Sequence, residues 1–311
     1  MSEIFAQHTL EKLLGEHDFT VELLSGGVSC DTAKVSWPSG DGAVVKRALA
    51  QLRVPGQWEA DVDRILAEAD AIELFGAITP ENVPHLISRS DKDLAIAIEL
   101  AAADMHDWRY SMLSGIVEPE VGTTLGKVLA TWHTKTRARA LPARIAAGKK
   151  RLFDLRAGAF YGGMSRTWPE FAPLINELST ELMESQECAV HGDFSPKNVL
   201  HGPSGTWVLD FEVTHQGAPV FDLAYMCAHL NLKAIKLQAQ RDLVAQTVRN
   251  FLHSYEDHGG VIPQNVSSHA GTIMAVRVAG ISQVNYLLEH EKSLAIARAK
   301  ELLNGAAVFI P

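Results

Sequence analysis

The chain has 311 residues, of which 47% are apolar and 21% charged, and its formal net charge is −9. That is apolar material for one or two packed domains with a large core, and the acidic balance argues against nucleic acid, whose phosphate backbone needs a basic partner. No stretch approaches the roughly 18 continuous apolar residues of a membrane span, and the acids in the opening MSEIFAQHTLEKLL leave no export signal to read, so no membrane partner is expected.

The cysteines, Cys30, Cys188 and Cys227, are odd in number and far apart, which argues against a disulfide framework or a zinc knuckle. A reducing, cytoplasmic location is the expectation. Residues 19–48 break into short apolar runs between turn residues, FTVELL, SGGVSCD, TAKVSW, PSGDG and AVVKRA, and read as three antiparallel strands. The first turn carries Gly26 and Gly27 and then Ser29; glycine there lets backbone N–H groups close on an anion, although a plain hairpin turn has the same signature. The last of these strands carries Lys46. Between residues 57 and 75, Val62, Ile65, Leu66, Ala69, Ile72 and Phe75 recur at helical spacing. Glu68 borders that stripe, and by itself reads as one solvated acid among several.

Two more strands are expected over residues 85–89 and 94–99. Beyond them the chain is mainly helical, with helices over 121–136, 174–184, 221–237, 240–258, 267–291 and 294–306, and with no repeat or Pro/Gly-rich linker. Residues 135–156 gather Lys135, Arg137, Arg139, Arg144, Lys149, Lys150, Arg151 and Arg156 against a single acid, Asp154. Such a run is an anion-attracting rim or a solvated helix face.

The chemistry sits in His191-Gly192-Asp193-Phe194-Ser195-Pro196-Lys197-Asn198 and in Leu209-Asp210-Phe211-Glu212. Phosphoryl transfer needs an Asp to accept the proton of the attacking hydroxyl, and an Asn and a second Asp to hold the magnesium ions that bridge the nucleotide phosphates. Asp193 and Asn198 stand five apart, the spacing of Asp and Asn in a protein-kinase catalytic loop, and Asp210-Phe211 takes the place of the metal-binding D-F-G.

HGDFSPKNVL followed by LDFE resembles the aminoglycoside phosphotransferase and choline kinase group, small-molecule relatives of the protein kinases. Gly192 stands where protein kinases place Arg, and Gly217-Ala218-Pro219-Val220-Phe221-Asp222-Leu223-Ala224 follows too soon after Asp210 for a peptide-binding activation loop. A protein substrate is therefore not expected. The resemblance implies an α+β, bilobal protein kinase-like fold: a small lobe (1–98) with a five-stranded antiparallel sheet plus a helix, a hinge (99–102), and a larger, mainly helical lobe (103–311). It implies ATP or GTP and Mg²⁺ as cofactors, a small-molecule hydroxyl acceptor, and a monomer or homodimer.

The resemblance also assigns roles. Asp193 is the base or aligning carboxylate; Asn198 and Asp210 are the metal ligands. Lys46 pairs with Glu68, in an R-x-x-x-E helix, to hold the α- and β-phosphates under a loop containing Gly26, Gly27 and Ser29. Glu99 and Ala101 fall at the base-binding hinge by position. His191 and Asp222 brace the catalytic loop. Lys197 is either a charge neutraliser or a surface lysine, and Glu212 an acid that assists the metal. Arg156 and Tyr161 resemble a family L-R-x-x-P-Y segment, without its Pro.

The last ten residues, LLNGAAVFIP, contain no acid, which weakens a polycationic antibiotic acceptor and leaves sugar, nucleoside and amino-alcohol acceptors open. A competing chemistry reads His191, Asp193, His201, Asp210 and His215 as a metal-dependent hydrolase cluster, and a third reading is a nucleotide-binding pseudokinase. The first leaves Lys46 and Glu68 without a role, and the second leaves a complete set of reactive groups unused.

Overall fold

Strands β2 (Cys30–Ser36) and β3 (Gly42–Ala48) alternate buried and half-buried residues, as a sheet with one dominant core face requires. The computed structural model describes residues 5, 7–15, 18–24, 29–53 and 58–310. With β1 (Thr20–Leu24), β4 (Leu86–Ser90) and β5 (Ala95–Glu99), these strands form a sheet of order β1-β2-β3-β5-β4, antiparallel throughout. Strand β5 is covered on both faces. Ala95 and Ala97 pack with Ala33, Val35 and Val45 against Leu10 and Leu13 of helix α1 (Gln7–Leu14), while Ile96 and Ile98 join Ile65, Ala69, Ile72 and Phe75 of α2 (Arg64–Gly76). Lys46 lies opposite Ile96 in the register and therefore projects toward α2. Helix α2 starts at Arg64, later than the apolar stripe suggests, because Val62 and Asp63 form a turn ahead of it.

The second lobe contains α3 (Trp108–Leu113), α4 (Pro119–Thr136), the short α5 (Ala143–Ala146) and α6 (Lys149–Leu152), a π-helical run (Phe153–Gly162), α7 (Gly163–Thr167), α8 (Ala172–Glu184), α9 (Val220–Lys236), α10 (Arg241–Asp257), α11 (Val266–Ala279) and α12 (Glu289–Leu303). The helix expected over 267–291 stops at Ala279, where Gly280 and residues 281–288 interpose a loop before α12. Five short strands unseen in the sequence complete the lobe. β6 (His106–Asp107), β8 (Val199–Gly202) and β9 (Gly205–Val208) make one small sheet; β7 (Cys188–Val190) and β10 (His215–Gly217) make another. Runs of two to four residues are too short to show a period, yet these sheets bracket the His191–Asn198 and Leu209–Glu212 segments.

An aromatic column ties both motifs to both lobes. Trp132 of α4 stacks on Phe75 of α2 at 4.3 Å between ring centroids, and meets Phe194 at 6.1 Å and Phe211 at 5.9 Å. The indole N–H of Trp132 donates to Thr79 Oγ1 at 2.8 Å, so this fully buried ring has no unsatisfied polar atom.

Helices α4 and α10 approach closely along Gly122 and Gly126. A Cβ on Gly126 would stand 2.2 Å from the carbonyl oxygen of Phe251, and one on Gly122 would stand 2.4 Å from that of Thr247. In an isolated helix Gly126→Ala gains about 1 kcal/mol. Here the added methyl meets backbone, which cannot rotate away, and overpacking of this kind costs about 1–3 kcal/mol. Gly126→Ala is therefore expected to lower the thermal midpoint; an unchanged or raised midpoint would show that the two helices have room to separate.

Candidate active site

Strand β7 ends at Val190 and delivers the chain into the turn of His191 and Gly192. Gly192 has φ of +80°, and a Cβ there would lie 2.8 Å from the carbonyl oxygen of Val213. Only glycine satisfies both the conformation and the space. The turn is held by Asp222 at the start of α9, whose carboxylate accepts the N–H groups of His191 at 2.7 Å and Gly192 at 2.8 Å. Asp222 is fully buried; burial alone would raise its pKa, but the contacts to His133, His191 and the Gly192 amide hold it below the ordinary value. His191 accepts the N–H of Asp193 on Nδ1 at 3.1 Å, so its Nε2 carries the proton and donates to Leu209 O at 3.1 Å. Burial lowers its pKa, which keeps the ring neutral.

Asp193 emerges from this turn among cations. Lys197 Nζ lies 2.6 Å from its Oδ2 and Arg156 3.2 Å from its Oδ1. Burial would raise the Asp193 pKa, but Lys197 and Arg156 overcome it and hold the carboxyl far below the usual carboxylate range. The Asn198 amide nitrogen donates to both Oδ2 and the backbone oxygen of Asp193, each at 2.9 Å. That leaves the Asn198 carbonyl oxygen with its lone pairs available.

Asp210 follows β9 and is one of the few non-glycine residues with positive φ, at 68°. Such a conformation is retained where the surroundings over-determine it. Its Oδ1 accepts from Lys46 Nζ at 3.1 Å, and Lys46 in turn donates to Glu68 Oε1. Burial would depress the Lys46 pKa, yet the Glu68 and Asp210 carboxylates leave it well above the ordinary lysine value. Burial is the larger influence on Glu68 and pushes it up to about 7 against the pull of Lys46. The structure thus brings Lys46, Glu68, Asp193, Lys197, Asn198, Asp210 and Arg156 together across the cleft.

Other expected site residues stand elsewhere. Gly26 and Gly27 lie outside the described residues. Ser29 is buried, its hydroxyl 3.9 Å from the Cys30 sulfur and its carbonyl on Arg64. Glu99 ends β5 and its carboxylate turns back to the His85 N–H at 3.2 Å, while Ala101 sits half-buried between the lobes. Tyr161 is fully buried with its hydroxyl 2.8 Å from His269 Nδ1, so it belongs to the helical core rather than the cleft.

Glu212 spends one carboxylate oxygen on the fold. Its Oε2 accepts from Arg64 Nε at 2.9 Å and from the Cys30 thiol at 3.6 Å. Arg64 itself is fully buried and also donates to the carbonyl oxygens of Ser29, Leu49, Ala60 and Asp61. This lock between the lobes was hidden in the R-x-x-x-E run, where the i, i+4 spacing placed Arg64 on the Glu68 face.

The basic run over 135–156 divides: Lys135, Arg137, Arg139 and Lys150 are exposed, as on a solvated helix face, and the others are engaged within the fold. Arg144 pairs with Asp70 and Asp91, Arg151 donates to Arg144 O and Thr214 O, and Lys149 caps the carbonyls of Leu182 and Ser185 at the end of α8. Arg156 reaches Asp193. The imidazoles proposed for a hydrolase also face other partners: His215 Nδ1 donates to Val213 O, and His201 contacts Thr206 and Glu118. Among the described residues no group of three His, Cys, Asp or Glu side chains is placed to hold a metal ion.

The sequence model of the phosphotransferase enzyme family matches residues 20–260, and the chain belongs to that family. The methylthioribose kinase of Bacillus thuringiensis (strain Al Hakam) is 24% identical over 224 residues, 64% of this chain and 57% of that enzyme. The chain thus spans 57% of the length of the curated relatives it matches. Among solved structures, an amicoumacin kinase in complex with AMP-PNP and Ca²⁺ superposes with a TM-score of 0.60 at 11% identity, covering 98% of this chain and 95% of the other. The choline kinase of Streptococcus pneumoniae gives 0.55 at 15% identity, covering 96% and 97%. The fold is the bilobal, protein kinase-like α+β fold of small-molecule kinases.

Because Arg64 has no exposed surface, Glu212→Gln removes the countercharge of a buried guanidinium and is expected to cost about 3–5 kcal/mol of stability. The double replacement Arg64→Met with Glu212→Met should recover most of that loss. Denaturant unfolding of the three proteins checks this; a Glu212→Gln protein of normal stability would return the acid to the metal-assisting role.

Proposed function

We propose that this protein is a kinase that transfers the γ-phosphoryl group of ATP, or of GTP, to a hydroxyl of a small molecule. The observation that carries the reading is the ammonium of Lys46 bridging Glu68 and Asp210 across the cleft, within the same cluster as Asp193 and Asn198. The nucleotide belongs between the lobes, its phosphates at Lys46 and its base at the backbone of residues 99–102, with lobes of 1–98 and 103–311 on either side. The AMP-PNP of the amicoumacin kinase complex supports a nucleotide as the second substrate.

The donor set fits a hard divalent cation. Asp210 offers the carboxylate oxygen not spent on Lys46, and Asn198 offers its carbonyl oxygen, both suited to Mg²⁺. When bound, the cation would offset charge on the phosphates. His191 and Asp222 hold the turn that carries Asp193, and Lys197 keeps the Asp193 carboxylate ionised.

Asp193 then orients the acceptor hydroxyl for in-line attack on the γ-phosphorus. The new P–O bond forms as the bond to the β,γ-bridging oxygen breaks, the nucleoside diphosphate departs, and the hydroxyl proton passes to Asp193. A carboxylate with so low a pKa is a weak base, and that suits a loose transition state in which the proton leaves late. A methylthioribose kinase among the relatives favours a polyol or sugar-like acceptor.

Asp193→Asn preserves size and hydrogen bonding but loses the charge, so kcat should fall roughly 10²–10⁴-fold with a much smaller change in nucleotide affinity. The pKa sign gives a second expectation. A depressed carboxyl stays ionised above its folded pKa and loses its contribution only as pH falls through that value, so the ratio of wild-type to Asp193→Asn rates should be flat from about pH 5 to about pH 8. A ratio that narrows toward the acid end would mean that Asp193 titrates there and is not held by Lys197 and Arg156.

A further inference from the structure

Helix α9 begins with the catalytic-loop brace, Asp222, and continues past the reacting centre. Tyr225, His229 and Lys233 follow at four-residue intervals and so share one face, a row of about 12 Å. At its near end the Arg156 guanidinium lies 5.6 Å from the Tyr225 ring centroid while also contacting Asp193. The His229 imidazole stacks on Tyr225 at 5.2 Å. At the far end Lys233, 1% exposed, donates to Tyr286 Oη at 3.2 Å and lies over that ring at 4.4 Å. Arg277 of α11 and Arg109 of α3 come from the helices packed beside α9, and both act electrostatically on Lys233.

This row is rich in cations and short of countercharge. The carboxylates that act on it are Asp107, on Lys233, and Asp193, on His229. Both are already engaged, Asp107 by Arg109 at 2.7 Å and Asp193 by Lys197 and Arg156. Several nitrogen positions are also unspent: His229 Nε2, Arg277 Nε and Arg109 Nε are buried with no hydrogen-bond partner. Burial, Arg109 and Arg277 push the Lys233 pKa down to about 7, and burial together with Arg277 and Lys233 pushes His229 well below its ordinary value. Lys233 is met by a phenol hydroxyl and not by a carboxylate, Arg277 by the Ser282 hydroxyl, and a buried cation without a direct countercharge is costly. An anion arriving from solution removes that cost.

We propose that Tyr225, His229, Lys233 and Arg277 line the acceptor subsite, and that the acceptor is a small hydroxylated compound carrying a carboxylate or phosphate group. Its hydroxyl faces Asp193 and its anionic end lies along α9. The assignment rests on the kinase reading for the identity of the reacting end, but the anion site itself can be measured without turnover.

The experiment is the thermal midpoint of the full chain at constant ionic strength, with D-glycerate and D-ribose 5-phosphate as charged probes, glycerol and D-ribose as their neutral counterparts, and Mg·AMP-PNP in a separate arm. At saturating concentration a charged probe should raise the midpoint by several degrees while the neutral compounds leave it in place. The larger of the two charged shifts tells carboxylate from phosphate. Arg277→Gln and Lys233→Met should each abolish that shift and keep the one from Mg·AMP-PNP, with circular dichroism confirming the fold. Equal shifts from charged and neutral compounds, no shift from either charged probe, or shifts that survive in both variants would overturn the proposal. A charged-probe shift without one from Mg·AMP-PNP would instead count against the kinase reading and leave the anion site standing.

Discussion

One carboxylate with no exposed surface, Asp222, fixes the turn on which the whole site is built. Its two oxygens take the N–H groups of His191 and Gly192, and a third contact runs to His133 Nε2 at 3.3 Å. Burying a charge this deeply is costly unless every lone pair finds a donor, and here backbone and imidazole donors supply them. His133 sits on α4 and passes its other ring nitrogen to Tyr255 of α10 at 2.9 Å. The α4–α10 contact made close by Gly122 and Gly126 is therefore coupled through a chain of hydrogen bonds to the direction in which Asp193 points. Packing in the helical lobe and geometry at the Asp193 carboxylate belong to one connected structure.

Across the cleft, charges alternate: Glu68, Lys46, Asp210, Lys197, Asp193, Arg156. Each member lies beside an opposite charge, and the sequence of contacts passes from the α2 helix through both motifs to the π-helical run. Such a ladder lets ionised groups persist in a buried setting without any of them being left alone. Beside it, Arg64 and Glu212 form a second, drier link through Glu212 Oε2. The two links differ in purpose. The exposed edge of Asp210, at 24% of its side chain, stays open to a ligand, whereas Arg64 is closed off by four backbone carbonyls.

Much of this was legible in the sequence because it is local. The Asp193–Asn198 spacing, the Asp210 motif, the strand Lys and the helix Glu each follow from residue type and offset, and the five-stranded sheet follows from short apolar runs between turn residues. Gly192 was read for the arginine it replaces, whereas the structure gives the physical reason, a positive φ with Val213 pressed against the missing side chain. What escaped is what depends on distant partners. Glu212 reads as an acid that assists a metal, and the structure adds that Arg64, 148 positions away, claims one of its oxygens, while Tyr161 looks like a cleft residue until His269 takes its hydroxyl. Within the basic run over 135–156, composition does not separate exposed cations such as Lys135 and Arg139 from Arg144, Arg151 and Arg156, which a carboxylate or carbonyl claims. Arg156 carried a family-like signal and no stated partner, and tertiary structure supplied Asp193.

The ladder ends in cations, and the acceptor subsite proposed along α9 continues in the same sign. Moving from Asp210 toward α9, cations outnumber acids: Arg156, Lys197, Lys233 and Arg277 lie around and beyond Asp193, and the acid that acts on Lys233, Asp107, is paired with Arg109. A polycationic acceptor would have to displace or repel these groups in a buried setting where like charges cost several kcal/mol. A neutral polyol would leave them as uncompensated as they stand now. An acceptor with one negative group pays neither penalty, so on the proposed reading the row along α9 selects by charge while Lys197 and Arg156 keep Asp193 ionised.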